Sequence, residues 1–504
     1  MDYRYLFLTV TLAATMVLTN GCDSSGDGSS DSSAQAIKSV GVVSSVNNGQ
    51  SINVNGVTYS SAGSEVDNEE GGELDVGMVV TVDGTMDEEG QTGHAHKIHY
   101  EAEIKGVVIT NDVTGSDTLN VMGQTVLVDD MTMYVSELPD YTTLESIPVN
   151  SYVEVSGFMR MDGTLKATRI ELVSQAYTAG MVLKVKGKIT EVGDMYFTIN
   201  GLTVMYDENT ELVNLTQEDL MAGICVKVES TQAFDSDTMN LVADSITSKH
   251  HGVDAEQGDK IQLYGEVTSD GVTDNLFVLN DQPVMLTEHT HYVHGTMADI
   301  VKGAMLQAKG RLDENNVLVA EMIKFQKPHD VIISGIVDAV NADENYLQVM
   351  GAMVYVDGTT WLKDHPQYAP NHPQNPGAAV MGDSEMQSFG LADIEAGNFV
   401  MVHGGYVLKQ IQQEGDQPVL QLPAVLASKL QRKKPDHPAQ VHVVGPVSSI
   451  DSENNVLEIA GVKVDSSAFP DITVSVGDKA SATGDYDAES MTLIPGDLEI
   501  EPKE

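Results

Sequence analysis

Residues 74–84 read LDVGMVVTVDG. A small residue at a turn leads into a strand whose side chains alternate in and out, and a second glycine, Gly84, ends it. The phrase returns as MAGICVKVES (221–230), VKGAMLQAKG (301–310), EAGNFVMVHG (395–404) and VSVGDKASATG (474–484), with a looser copy, PVNSYVEVSG, at 148–157. Six copies in one chain define a tandem array of a single β-unit.

The same order recurs around every copy. An opening strand carries a glycine: Gly41, Gly106, Gly187, Gly265, Gly335 or Gly445. A hairpin comes next, as in INVNGVTY (52–59), FTINGLTV (197–204) and FVLNDQPV (277–284), where Asn-Gly or Asn-Asp tolerates positive φ. After a variable segment and the central strand comes a closing strand built around a small residue, such as LKATRIEL (165–172) or LVAEMIKF (318–325). Four to six short strands per unit, without an amphipathic helix, must curl to bury one face, and a small closed barrel does so without exposed edges. The expected fold is all-β: a string of about six OB-like β-barrels, each with its own small core, their glycines turning tight corners. The boundaries read as 38–103, 104–178, 181–252, 259–327, 329–433 and 438–499.

Composition agrees. A chain of 504 residues exceeds one core, and 45 glycines with few aromatics suit short strands and turns. Asp and Glu number 75 against 27 Lys and Arg, a net charge of −48, which repels phosphate backbones and argues against nucleic-acid binding. The two cysteines, Cys22 and Cys225, make no disulfide framework, and Cys225 stands where other copies carry Val79, Met305 and Phe399, as a buried apolar residue would.

The amino terminus has a charged start, an apolar run at 6–18 too short to span a bilayer, and TNGC at 19–22. Residues 1–21 read as a signal peptide resembling those of bacterial lipoproteins, with Cys22 lipidated and 22–37, rich in Ser, Gly and Asp, as a flexible linker. The implied location is the bacterial cell envelope, lipid-anchored in the periplasm or at the outer membrane or cell surface.

The pattern G-x-V, V-x-G, V-G-x-x-V-x-V-x-G and A-x-x-I resembles the bacterial domain-of-unknown-function family 5666, over nearly all of residues 38–499. The resemblance implies tandem β-rich modules of exported proteins and lipoproteins, and no activity to carry over. Ser230 replaces the second glycine of the third copy, and Pro495 falls near the closing alanine position of the sixth.

The fifth unit has an insertion, 361–390, rich in Pro, His, Gln and Gly, which reads as a surface loop and binding element offering Trp361, His365, Tyr368 and His372. The basic run QRKKP at 431–435 reads as a linker against acidic surface.

Histidines are the residues to weigh for chemistry. His94 and His96, like His289 and His291, are two apart, so on a strand each pair presents two imidazoles on one side, as zinc or copper requires. His99, His294 and the pair His250 and His251 lie close by in sequence. Yet Thr290 aligns with Thr132, Thr210 and Thr359, whose neighbours vary in type, which reads as a solvated face. Met78, Met122, Met195, Met305 and Met350 fill positions held elsewhere by Val, Ile, Leu or Phe, and so read as core. Acidic stretches at 67–73 and 87–89 could take calcium weakly, but no EF-hand loop, P-loop, dinucleotide fingerprint, G-x-S-x-G or H-E-x-x-H occurs. The expected function is a non-catalytic cell-envelope lipoprotein, an acidic scaffold for an envelope protein or glycan. The alternative is a zinc- or copper-binding envelope protein.

Overall fold

Gly84 does not end its strand, which runs Val79–Met86; it and its counterparts lie inside their central strands, and each faces a β-bulge. The computed structural model describes residues 35–504 except 48, 88, 113–116, 137–142, 161, 250–252, 254, 365–388, 412–419, 434–439 and 504. Gly84 pairs with Ala95, Gly157 with Ala167, Gly310 with Ala320, Gly404 with Ala427 and Gly484 with Pro495, and at every site the closing strand holds one extra residue. A Cβ on any of these glycines would overlap the carbonyl oxygen of the residue before that alanine or proline. The glycine is needed for close approach of two backbones, since none of the five has positive φ.

The third repeat shows the consequence of losing it. Ser230 stands in the glycine's place, its Oγ donates to the Val242 carbonyl at 2.7 Å, and the closing strand breaks into Asn240–Val242 and Ser245–Ser248. The hairpin Tyr196–Ile199 and Leu202–Met205 then joins Glu191–Gly193 and Asn240–Val242 in a separate four-stranded sheet.

The hairpin turns carry positive φ at Asn55, Met122, Asn200, Asn280, Met350 and Ala460. These turn residues explain the opening glycines: a Cβ on Gly106 or Gly335 would strike the side chain of Met122 or Met350, and one on Gly41 or Gly265 that of Asn55 or Asn280. Met78, Met122 and Met350 are buried as expected, whereas Met195 is 38% exposed. Cys225 is only half-buried, and burial pushes its thiol up to about 11.

A second device closes four of the barrels, those of repeats 2 to 5. The Thr132, Thr210, Thr290 and Thr360 hydroxyls donate to the carbonyls of Ala167, Ala243, Ala320 and Ala427, and each also accepts the amide hydrogen three residues upstream. The fifth member is therefore Thr360, not Thr359. Thr290 is buried while its neighbours His289 and His291 are exposed, so the variation between repeats lies beside a fixed inward threonine.

The barrels are not beads. Opening strands pair across repeats: Ile104–Asp112 with Leu183–Lys188 and Val331–Asn341 with Val441–Asp451, both antiparallel, and Gln35–Asn47 with Lys260–Glu266 in parallel. In both antiparallel pairs the central register joins equivalent residues, Ile104 with Val185 and Ile333 with Val443, each two before its opening glycine. That is a local two-fold arrangement. Repeats 2 and 3 share one apolar core and repeats 5 and 6 another, while repeats 1 and 4 keep separate cores within one twelve-stranded sheet. The expectation of a separate core for every barrel holds for repeats 1 and 4 and fails for repeats 2 and 3 and for 5 and 6; the pairing itself arises because a short barrel leaves the edge of its opening strand unpaired, and the nearest equivalent edge satisfies its amides. The strand Gln35–Asn47 also begins inside the stretch read as linker.

Candidate functional site

The strands that pair repeats 2 and 3 carry lysines at alternate positions, Lys184, Lys186 and Lys105, with glutamates from repeat 1 against them. Lys184, 2% exposed, lies within 4 Å of Glu69, Glu70, Glu101 and Glu229, its contact with Glu70 being the closest. Lys227 bridges Glu101 at 2.8 Å and Glu69 at 3.0 Å, Lys186 and Lys249 hold the other oxygen of Glu101 at 3.1 and 2.8 Å, and Lys105 reaches Glu70 at 2.9 Å. Tyr100 donates to Glu154 at 2.8 Å within the same seam. Burial would raise the Glu70 and Glu101 carboxyls, but the ammoniums around them overcome it and hold both below the usual range. Glu154 goes the other way: burial, only partly opposed by Lys105, raises it.

A second junction joins repeats 1, 2, 4 and 5. Val42, Val76, Met131, Met133, Phe158 and Trp361 form one apolar cluster there. Beside it, Lys363 and Arg169 clasp Asp75, the latter at 3.4 Å, and Arg160 Nε meets both Glu266 oxygens at 2.9 Å. Buried Lys429 donates to the Asp130 and Thr132 carbonyls at 2.8 and 3.0 Å, and burial brings its amine down to about 7. A cavity of about 70 Å³ lies between Tyr264, Phe325, Lys327 and Trp361, room for a few waters.

Trp361 thus belongs to a short strand, Trp361–Lys363, and is 8% exposed in this junction, not displayed on a loop. The described part of the insertion is pinned by Arg432, which bonds both Asp364 oxygens at 2.7 and 2.5 Å and lies over the Phe389 ring. Arg432 and Lys433 end a strand, Leu420–Lys433, so the start of the basic run is sheet and not linker. Its acidic contact, Asp364, is as the sequence suggests. His365, Tyr368, His372, His250, His251, residues 1–21 that read as a signal peptide, and Cys22 lie outside the described residues.

His94 and His96 are exposed on one closing strand with ring centroids 5.6 Å apart, and His96 is the extra residue of that strand's bulge. His289 sits in the threonine turn and His291 starts a short strand, both exposed. Among the described residues the group of three or more side chains close enough for one ion is Glu69, His99 and Glu101, which includes none of these four. Its two glutamates already bind lysines, which disfavours a divalent cation.

The seams went unread in the sequence because K-V-K-G-K at 184–188 looks like the polar face of a half-exposed strand. The excess of lysine there, in a chain of net charge −48, was the available signal.

Fold and seams together define a tandem array of small OB-like barrels locked by ion pairs. The chain carries four tandem copies of a domain of unknown function (DUF5666), at residues 40–99, 105–171, 186–247 and 264–324. Repeats 5 and 6 have the same strand order and the same bulge. No curated protein matches the chain. Two crystal structures of single-stranded DNA binding protein from Thermus aquaticus are similar in part. The wild type is 12% identical with a TM-score of 0.15, covering 34% of this chain and 93% of that one. A deletion mutant is 11% identical with a TM-score of 0.14, covering 49% and 97%. Likeness at that level says nothing about what this chain binds.

Proposed function

We propose that this protein is a non-catalytic scaffold of the bacterial cell envelope, lipid-anchored through Cys22, that presents an acidic surface to an envelope protein or glycan and does not bind nucleic acid. The observation that supports it most is where the basic residues go. Lys105, Lys184, Lys186, Lys227, Lys363, Lys429, Arg160 and Arg169 are all turned into seams between repeats. The outer surface is left with carboxylates in large excess. Asp75, Glu101 and Lys429, whose titration is shifted by burial and neighbouring charge, sit in these seams and join repeats. Among the described residues no helix is long and apolar enough to cross a membrane; the anchor in this reading is the lipid on Cys22. Cys22→Ser should move the protein from the membrane to the soluble fraction of a fractionated cell; protein still in the membrane pellet after a high-salt wash would refute the anchor.

The closeness of exposed His94 and His96 on one strand, ring centroids 5.6 Å apart, supports a second reading, a zinc or copper site on the first barrel. Calorimetry on tag-free protein should then show one ion bound at micromolar affinity or tighter, lost in His94→Ala/His96→Ala and kept in His289→Ala/His291→Ala. A flat titration with both metals would dismiss it.

A further inference from the structure

Repeat 3 differs from the others on its outer hairpin face. Val192, Met195, Tyr196 and Met205 are 38–45% exposed, and register puts Tyr196 and Met205 side by side on one face, with Gly193 across from Tyr196, whereas Val192 pairs with buried Phe197 and Met195 lies in the turn before Tyr196. The equivalent cross-strand pair is Ser51 and Ser60 in repeat 1 and Val456 and Asp465 in repeat 6. In repeats 4 and 5 it is apolar, Leu276 with Met285 and Tyr346 with Tyr355, but each partner is half-buried. The detached four-stranded sheet that Ser230 creates therefore carries an apolar face left uncovered by its neighbours.

Charge surrounds it. Glu191, Asp194 and Glu208 are exposed at its margin, and among the described residues none of them forms an ion pair. Elsewhere the chain spends lysines on its partly buried glutamates, so a rim left unpaired around an apolar centre is complementary to a partner with apolar side chains flanked by Lys or Arg.

We propose that the outer face of the repeat 3 hairpin docks a cationic amphipathic segment of a partner protein, with Tyr196 and Met205 as the apolar anchor and Glu191, Asp194 and Glu208 as the steering rim. This deepens the scaffold reading and rests on it.

The test uses the full chain and two labelled peptides of equal length and charge, one alternating Leu and Lys, the other Ser and Lys. Fluorescence polarisation should give the Leu/Lys peptide an advantage of about tenfold or more, the part that apolar contact adds to general attraction by an acidic surface. Tyr196→Ser/Met205→Ser should abolish that advantage and leave the Ser/Lys affinity unchanged. Glu191→Lys/Asp194→Lys, which alters exposed positions alone, should weaken both peptides and flatten the salt dependence. Equal affinity for the two peptides, or an advantage that survives Tyr196→Ser/Met205→Ser, overturns the proposal. So does self-association, or binding of single-stranded DNA, that disappears in that variant, since the face would then belong to a second copy or to nucleic acid. Membrane fractionation of the Cys22 variant is independent of these outcomes, so anchor and docking face can fail separately.

Discussion

Replacing Lys184 by methionine is expected to lower the stability of the chain by about 3–5 kcal/mol at neutral pH, read as a drop in the urea midpoint. Lys184 is buried among four glutamates, three from repeat 1 and one from repeat 3, and methionine fills its volume without its charge. Glu70 is left with Lys105, and Glu101 with three lysines, and both carboxylates remain buried. Lys302→Met makes the control: Lys302 and Asp270 are 3.6 Å apart but largely exposed, and the change should cost less than about 1 kcal/mol.

The pH dependence comes from the direction of the shifts. Glu70 and Glu101 are held below their ordinary range when folded, so they contribute stability above that range and lose it as pH falls through their folded values. Glu154, raised in the fold, has the opposite sign: its contribution is complete at low pH and is lost as pH rises through its folded value. The difference between wild type and K184M should be full at neutral pH and narrow in acid, as the glutamates that need Lys184 become neutral. A difference that stays constant down to the acid transition would mean that packing, and not charge, makes Lys184 important.

Gly310→Val should have an effect of about 3 kcal/mol or more, because its Cβ would lie 2.0 Å from the Val319 carbonyl oxygen and neither backbone can yield without losing the bulge. The damage should spread. Lys260–Glu266, which pairs with the strand bearing Gly310, also pairs in parallel with Gln35–Asn47 of repeat 1, so amide protection should fall in both repeats by hydrogen exchange. Loss confined to residues 259–327 would show that the shared sheet is energetically divided. Protection unchanged in either repeat would mean that the bulge relaxes around valine.

Much of this molecule was legible locally. Alternation, Asn-Gly turns and the repeated V-x-G phrase announced strands, hairpins and a glycine of fixed purpose, because each depends on residues a few positions apart or on one barrel closing on itself. The buried methionines were visible for the same reason, apart from the exposed Met195, whereas the aligned threonines read as a solvated face and prove to be inward, with Thr360 in place of Thr359. The histidine pairs were readable as exposed neighbours, and nothing in their spacing could supply a third ligand.

Partnership between repeats was not. Whether the opening strand of repeat 1 pairs with repeat 2 or repeat 4, and whether it does so in parallel, depends on edges brought together from more than 200 residues away, as Ile37 meets Lys260. The lysines of repeat 3 and the tryptophan of repeat 5 alternate or punctuate as surface residues do, and only the arrival of a neighbouring barrel makes one a buried counter-charge and the other a core residue. Taken by itself, the order of amino acids determined that this chain would curl into small β-barrels, how each would close and how acidic the whole would be. Tertiary structure alone decided which barrels share a sheet, because strand edges and buried charges are satisfied by whatever meets them in space and not by their neighbours along the chain.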